Sequence, residues 1–118
     1  MPELVACLST GKGSWSHISR LMDDKNWSKI FLITNEYGLQ NFKAGKNTEL
    51  IAVNADQGLR ELRDEIYSKL KEKIKDTEVG LNLASGTGKE HMALLSAMLM
   101  LGIGIRLTAV TKNGIEEI

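Results

Sequence analysis

Apolar residues along this chain fall in short runs separated by amphipathic stretches, and each change of period marks a change of element. Residues 4–8 (LVACL) are apolar throughout and close on Ser9, Thr10, Gly11, Lys12 and Gly13, which predicts a buried strand feeding a loop. Ile18, Leu21 and Met22 then recur at helical spacing. Residues 29–34 (KIFLIT) are rich in β-branched and aromatic side chains and predict a second strand. The pattern is weakest over residues 35–48, where Gly38 and Gly45 bracket a short helix expected at 39–44. Residues 50–53 predict a third strand. Asp56 is placed to cap the clearest helix, whose apolar stripe is Leu59, Leu62, Ile66, Leu70 and Ile74. The charged residues around that stripe read as a solvated face. A fourth strand at 79–84 closes on Ser85, Gly86, Thr87, Gly88 and Lys89, and a helix follows over 90–101. Residues 103–110 predict a fifth strand, and Asn113-Gly114 is a hairpin signal that returns 115–118 antiparallel to it.

Strand and helix alternating from end to end imply parallel strands with helices on both faces. The expected fold is a Rossmann-like three-layer α/β/α sandwich with a mostly parallel sheet of about six strands. Topology rules give the order 3-2-1-4-5, with the C-terminal strand antiparallel at the edge. A length of 118 residues fits a single domain spanning 1–118.

Composition narrows the function classes. Fifteen Lys+Arg balance fifteen Asp+Glu, which argues against a duplex nucleic-acid binder or a membrane-surface protein. The one cysteine, Cys7, can form no internal disulfide, and two histidines beside it leave a metal site short of ligands. Neither a metal nor another resident cofactor is expected. The N-terminus lacks a basic signal region and the longest apolar run is too short to span a bilayer, so the expected location is cytoplasmic.

The candidate chemistry lies in the two Gly/Ser/Thr/Lys loops. In an open α/β sheet, ligands bind beyond the carboxyl ends of the strands where the strand order reverses, here between the first and fourth strands. Both loops leave those strands and open helices. Helix N-termini offer free N–H groups, and glycine lets the backbone approach an anion closely. Ser9, Thr10, Ser14, Ser85 and Thr87 add hydroxyls, and Lys12 and Lys89 add charge. The constellation suits phosphate or a nucleotide; the same residue types also serve as plain turns and caps. The loops depart from known fingerprints. Leu83 stands where a P-loop needs its first glycine, and Glu90 where it needs Ser or Thr. Ser16 and His91 stand where a dinucleotide loop needs its third glycine, although Glu36 could hold a ribose. Trp15 either stacks on a base or packs on a neighbour. His17 and His91, each one turn into a helix, are either catalytic or base-contacting on the one hand or structural on the other, the structural role being favoured.

The segment from Val79 through Ser85, Gly86, Thr87, Gly88, Lys89, Glu90 and His91 into an apolar helix resembles the second motif of the CRISPR-associated Rossmann fold (CARF) domains. The hydroxyl-rich turn Ser9, Thr10, Gly11, Lys12, Gly13, Ser14 looks like that family's first motif, and the terminal hairpin is also similar. The extra Gly88 between Thr87 and Lys89 and a short crossover between the second and third strands are departures. The resemblance implies an antiviral-defence role: a homodimer that binds a cyclic oligoadenylate messenger across its two-fold axis. It also implies a ring nuclease or a sensor, because some family members cleave the messenger without metal, a ribose hydroxyl attacking the adjacent phosphate to leave a cyclic phosphate. Carried onto this chain, Lys89 stabilises the developing charge and Ser9 or Thr10 orients the attacking ribose. Gly11, Lys12, Gly13, Ser14, Trp15, Ser85, Gly86, Thr87, Gly88 and His91 then form the binding surface. The alternative is a small mononucleotide or dinucleotide binder.

A homodimer is also expected from the pattern alone. From Met92 to Leu101 nine of ten residues are apolar, Ser96 being the exception. A helix on one sheet face needs an apolar stripe of only about 100°. One that is apolar all round needs cover on its outer side, and a second copy is the simplest cover.

Overall fold

The computed structural model describes residues 2–9, 12–23 and 26–118, with Lys12 described in its backbone alone. The elements run β1 (Glu3–Cys7), a 3-10 turn (Lys12–Ser14), α1 (Trp15–Met22), β2 (Lys29–Thr34), α2 (Glu36–Asn41) and β3 (Thr48–Ala52). They continue as α3 (Leu59–Leu70), β4 (Glu78–Asn82), α4 (Gly88–Leu101), β5 (Gly104–Thr111) and β6 (Gly114–Glu117). The sheet is six-stranded in the order β3-β2-β1-β4-β5-β6. All pairings are parallel except β5 with β6, where Val110 stands opposite Ile115. The Rossmann-like order expected from the alternation of elements is therefore observed, with the reversal between β1 and β4.

Two cores sandwich the sheet. Val5, Cys7, Phe31, Ile33, Ile51, Val79 and Leu81 face α3 and α4, meeting Leu62, Ile66, Leu94 and Met98. Leu4, Ala6, Leu8, Ile30 and Leu32 face the other way, onto Ile18 and Leu21 of α1 and onto Trp27. The period-two alternation of β1 thus serves both faces, which is why residues 4–8 are apolar without a break. Buried Glu3 is accommodated by local pairing: its Oε1 accepts from the Lys75 and Asp76 amides at 2.8 and 2.9 Å, while Asp76 Oδ2 accepts from the Glu3 amide at 2.9 Å.

Three local expectations are corrected. The second helix spans Glu36–Asn41 rather than 39–44, because Asn35 caps it by accepting from the Gly38 amide at 3.1 Å. Gly38 lies inside the helix, where a Cβ would come within 1.9 Å of Thr34 Oγ1; it marks close packing, not a helix boundary. Asp56 does not cap α3. Gly58 holds that position without a side-chain bond, and the Asp56 amide is taken by Asn54 Oδ1. Ile74 lies beyond the end of α3, yet it still packs on the same core.

Candidate functional site

The two loops meet beyond the carboxyl ends of β1 and β4. Ser85, buried between them, accepts from the Ser9 amide at 2.8 Å and from Ser14 Oγ at 2.6 Å. A single hydroxyl therefore ties the end of the first strand, the start of the first helix and the second loop together. Trp15 adds a clamp, its indole N–H donating to the Ser9 carbonyl at 2.8 Å. Its ring meets Phe42 edge-on at 5.3 Å and lies 6.2 Å from the Tyr37 ring. Of the two roles open to Trp15, packing is the one the structure displays.

On the other side of the crevice, Gly86 has φ of 109°, in the left-handed region that glycine adopts without strain. A Cβ there would also press on Glu90 Oε1 at 3.1 Å, His91 Nε2 at 3.2 Å and the Cβ of Cys7 at 3.3 Å. Thr87 and Glu90 form a reciprocal capping box at the start of α4: Thr87 Oγ1 accepts from the Glu90 amide at 3.2 Å, and Glu90 Oε1 from the Thr87 amide at 2.8 Å. Among the described residues, the first-turn amides of Gly88 and Lys89 have no hydrogen-bond partner. His91 Nε2 donates to the Ser85 carbonyl at 2.8 Å and so holds the turn from within the helix.

Lys89 is exposed, and its ammonium donates to the Gln57 carbonyl in the loop before α3. It does not sit in a dry pocket at the head of the apolar helix; it leans across the edge of the sheet toward the neighbouring loop. Gly13 is exposed with open space around it. Thr10, Gly11 and the side chain of Lys12 lie outside the described residues.

Beneath the crevice, Cys7 is buried, and its thiol is pushed up to about 12 by that burial and, secondarily, by the charge of Glu90. It is held as an inert thiol, not as a nucleophile. His17 proves to be a cross-brace. Asn82 Oδ1 accepts from the Ala84 amide, so Asn82 Nδ2 is the donor, giving to the Thr108 carbonyl at 2.8 Å and to His17 Nε2 at 3.1 Å. The Val110 amide also donates to that nitrogen at 3.4 Å. His17 thereby ties α1 to β4 and β5.

Two groups at this edge escaped the sequence reading. Glu90 was legible in principle, since Thr87 followed three residues later by Glu is the capping-box signature. Tyr37 and Asp56, around the ends of β2 and β3, carry no local functional signal, because only the fold gathers them with Glu36, which the sequence offers as a ribose partner. Among the described residues, no cluster of three His, Cys, Asp or Glu is placed to hold a metal ion. No helix among them is long and apolar enough to cross a membrane. Compared with known proteins, the chain matches no family model and no curated sequence.

Proposed function

We propose that the protein binds a nucleotide through phosphate at the crevice between β1 and β4, and that its ligand is a cyclic oligoadenylate held across a homodimer. The observation that carries this reading is the meeting of the two glycine- and serine-rich loops on Ser85 at the point where the strand order reverses. Free amides of Gly88 and Lys89 at the start of a fourteen-residue helix provide the anion-binding end. The choice of a cyclic oligoadenylate comes from the CARF resemblance of the same two loops. Homodimerisation is supported by the outward side chains of α4, Met92, Leu99 and Met100, which are more than half exposed.

Lys89 fits the reading as a mobile cation. Its long stem lets the ammonium leave the Gln57 carbonyl for a phosphate with only one hydrogen bond to exchange. Where cleavage follows binding, the same group stabilises charge on the phosphate, and Ser9 lies at the strand end to orient the ribose. Calorimetry against cyclic tri-, tetra- and hexa-adenylate, beside NAD and ATP, tests the reading. One cyclic ring bound per two chains is expected, with a salt dependence that falls when Lys89 is replaced by Ala. Binding of NAD or ATP alone, once per chain, would overturn the cyclic ligand in favour of a simple nucleotide binder. No binding of any of these would remove the site.

A further inference from the structure

Two apolar hollows flank α4 on opposite sides. One, of about 380 Å³, opens between α3 and α4 and is lined by Leu59, Arg60, Arg63, Met92, Ala93 and Ser96. Leu59 and Met92 are 45% and 59% exposed there. Arg63 is paired with Asp64 at 3.0 Å, whereas the Arg60 side chain has no ion-pair or hydrogen-bond partner among the described residues. The hollow is therefore an apolar floor with one open guanidinium at its rim.

The other hollow, of about 340 Å³, lies where the sheet continues past α4 into β5, with Leu83, Leu107, Ala109 and Ile118 as its apolar wall. Its polar side chains are spent on the backbone: Asn82 donates to the Thr108 carbonyl at 2.8 Å, and Thr108 Oγ1 to the Arg106 carbonyl at 3.0 Å. Alternation along β6 fixes what stands beside this wall. Ile115 packs on the α1 side of the sheet and Glu117 reaches Arg106 on that side, so Glu116 and Ile118 project toward the α3 and α4 side. The Glu116 carboxylate has no partner among the described residues. Each flank of α4 thus carries exposed apolar side chains and one open charge, and the two charges are opposite.

We propose that these flanks are the two halves of one contact: the Glu116 and Ile118 edge of one copy seats in the hollow between α3 and α4 of a second copy, where Glu116 meets Arg60. The inference rests on the homodimer reading above and adds which surfaces meet and in which orientation. One ring shared by two crevices needs the N-termini of both α4 helices at the same end of the dimer. The two helices then run side by side in the same sense. A two-fold axis along them sets the α3 flank of each copy against the β5–β6 flank of the other, so the contact forms twice. The heights agree. Arg60 lies in the first turn of α3, which begins at the carboxyl end of the sheet, and Glu116 stands opposite Ala109 near that end of β5. Opposite charges at the rim fix the register, while Leu59, Met92, Leu107 and Ile118 supply the area that leaves water.

The test is sedimentation of the full chain at micromolar concentration, comparing the parent with Arg60→Glu, Glu116→Arg and the variant carrying both changes. Circular dichroism and melting curves show that each variant is folded. Because the contact forms twice, either single reversal is expected to weaken the dimer about tenfold or more at low salt, and by less as salt is added. The double exchange restores opposite charges and should return the dimer to within about threefold of the parent. Ile118→Ser, which leaves both charges in place, should also weaken the dimer about threefold or more. Single reversals that leave the dimer intact would overturn this seat and leave a dimer formed through another face. So would a double exchange that dissociates as readily as the singles. A parent that sediments as a monomer would leave the hollow to a different partner and remove the seat together with the reading on which it rests.

Discussion

Glu90 is the residue with the most divided role. Its carboxylate caps α4 through the Thr87 amide, and its charge sits at the helix end proposed to receive an anion. Glutamine keeps the capping geometry and removes the charge. Glu90→Gln should therefore tighten nucleotide binding, by about threefold to tenfold at low salt, with the gain fading as salt is added. An affinity unchanged at low salt would place the phosphate elsewhere. Cys7 reports on the same spot from below. Its thiol ionises near the ordinary value of 9.0 when unfolded and at about 12 when folded. A pKa raised by folding means the folded chain holds the proton longer. The contribution to stability is whole below the unfolded value and is lost as pH rises through the interval up to the folded one. Urea unfolding of the parent should lose stability as pH rises from about 9 towards 12, and Cys7→Ala should lose less over the same interval. Parallel losses in the two proteins would mean that the thiol is not buried as described.

Whole elements were legible where a period ran long enough to be read. Apolar runs predicted the first five strands to within a few residues and the Asn113-Gly114 turn predicted the sixth; β1, β2 and β4, buried on both faces, have few polar positions to blur them. The stripe of α3 was equally plain. The second helix was misplaced because a glycine inside a helix and a glycine ending one look alike in sequence. What distinguishes Gly38 is Thr34, whose hydroxyl donates to the Leu8 carbonyl at 2.9 Å and fills the space a side chain would need. This gives a prediction opposite to that from helix propensity. Propensity alone says Gly38→Ala stabilises by up to about 1 kcal/mol. The structure says the methyl meets a buried, hydrogen-bonded side chain, so the substitution should destabilise by roughly 1–3 kcal/mol in urea unfolding. A rise in the urea midpoint would mean that Thr34 yields easily and that α2 is not packed as described. The candidate site was legible in part for the same reason. Its two loops carry a glycine and serine signature that survives in the sequence. Ser85 as the shared partner, and the pairing of Lys89 with the loop before α3, arise from contacts between residues far apart in the chain.

At the scale of the whole molecule, the sheet order followed from alternation and the crossover rules, and the surface of α4 is what remains to be accounted for. Ala93, Leu94, Ala97 and Met98 turn inward and are fully buried, so the helix already has its core face. Met92, Leu99 and Met100 turn outward at 59%, 65% and 51% exposure. Leu107 of β5 and Ile118, beyond the end of β6, are also exposed, at 45% and 75%. Large apolar side chains grouped in this way lower their free energy when a partner excludes water from them. A second copy is the partner that is always present, and a two-fold axis lets the same side chains serve both halves of the contact. The chain is therefore expected to sediment as a dimer at micromolar concentration. Leu99→Glu puts a charge into that contact without touching the core, so it should give a monomer with an unchanged circular dichroism spectrum and melting behaviour. The monomer should also lose the cyclic ligand while retaining inorganic phosphate, since a ring shared across the axis needs both copies and one loop pair does not. A parent chain that sediments as a monomer would leave α4 without its second copy and the cyclic ligand without its axis. A Leu99→Glu chain that remains dimeric would move the contact to another face.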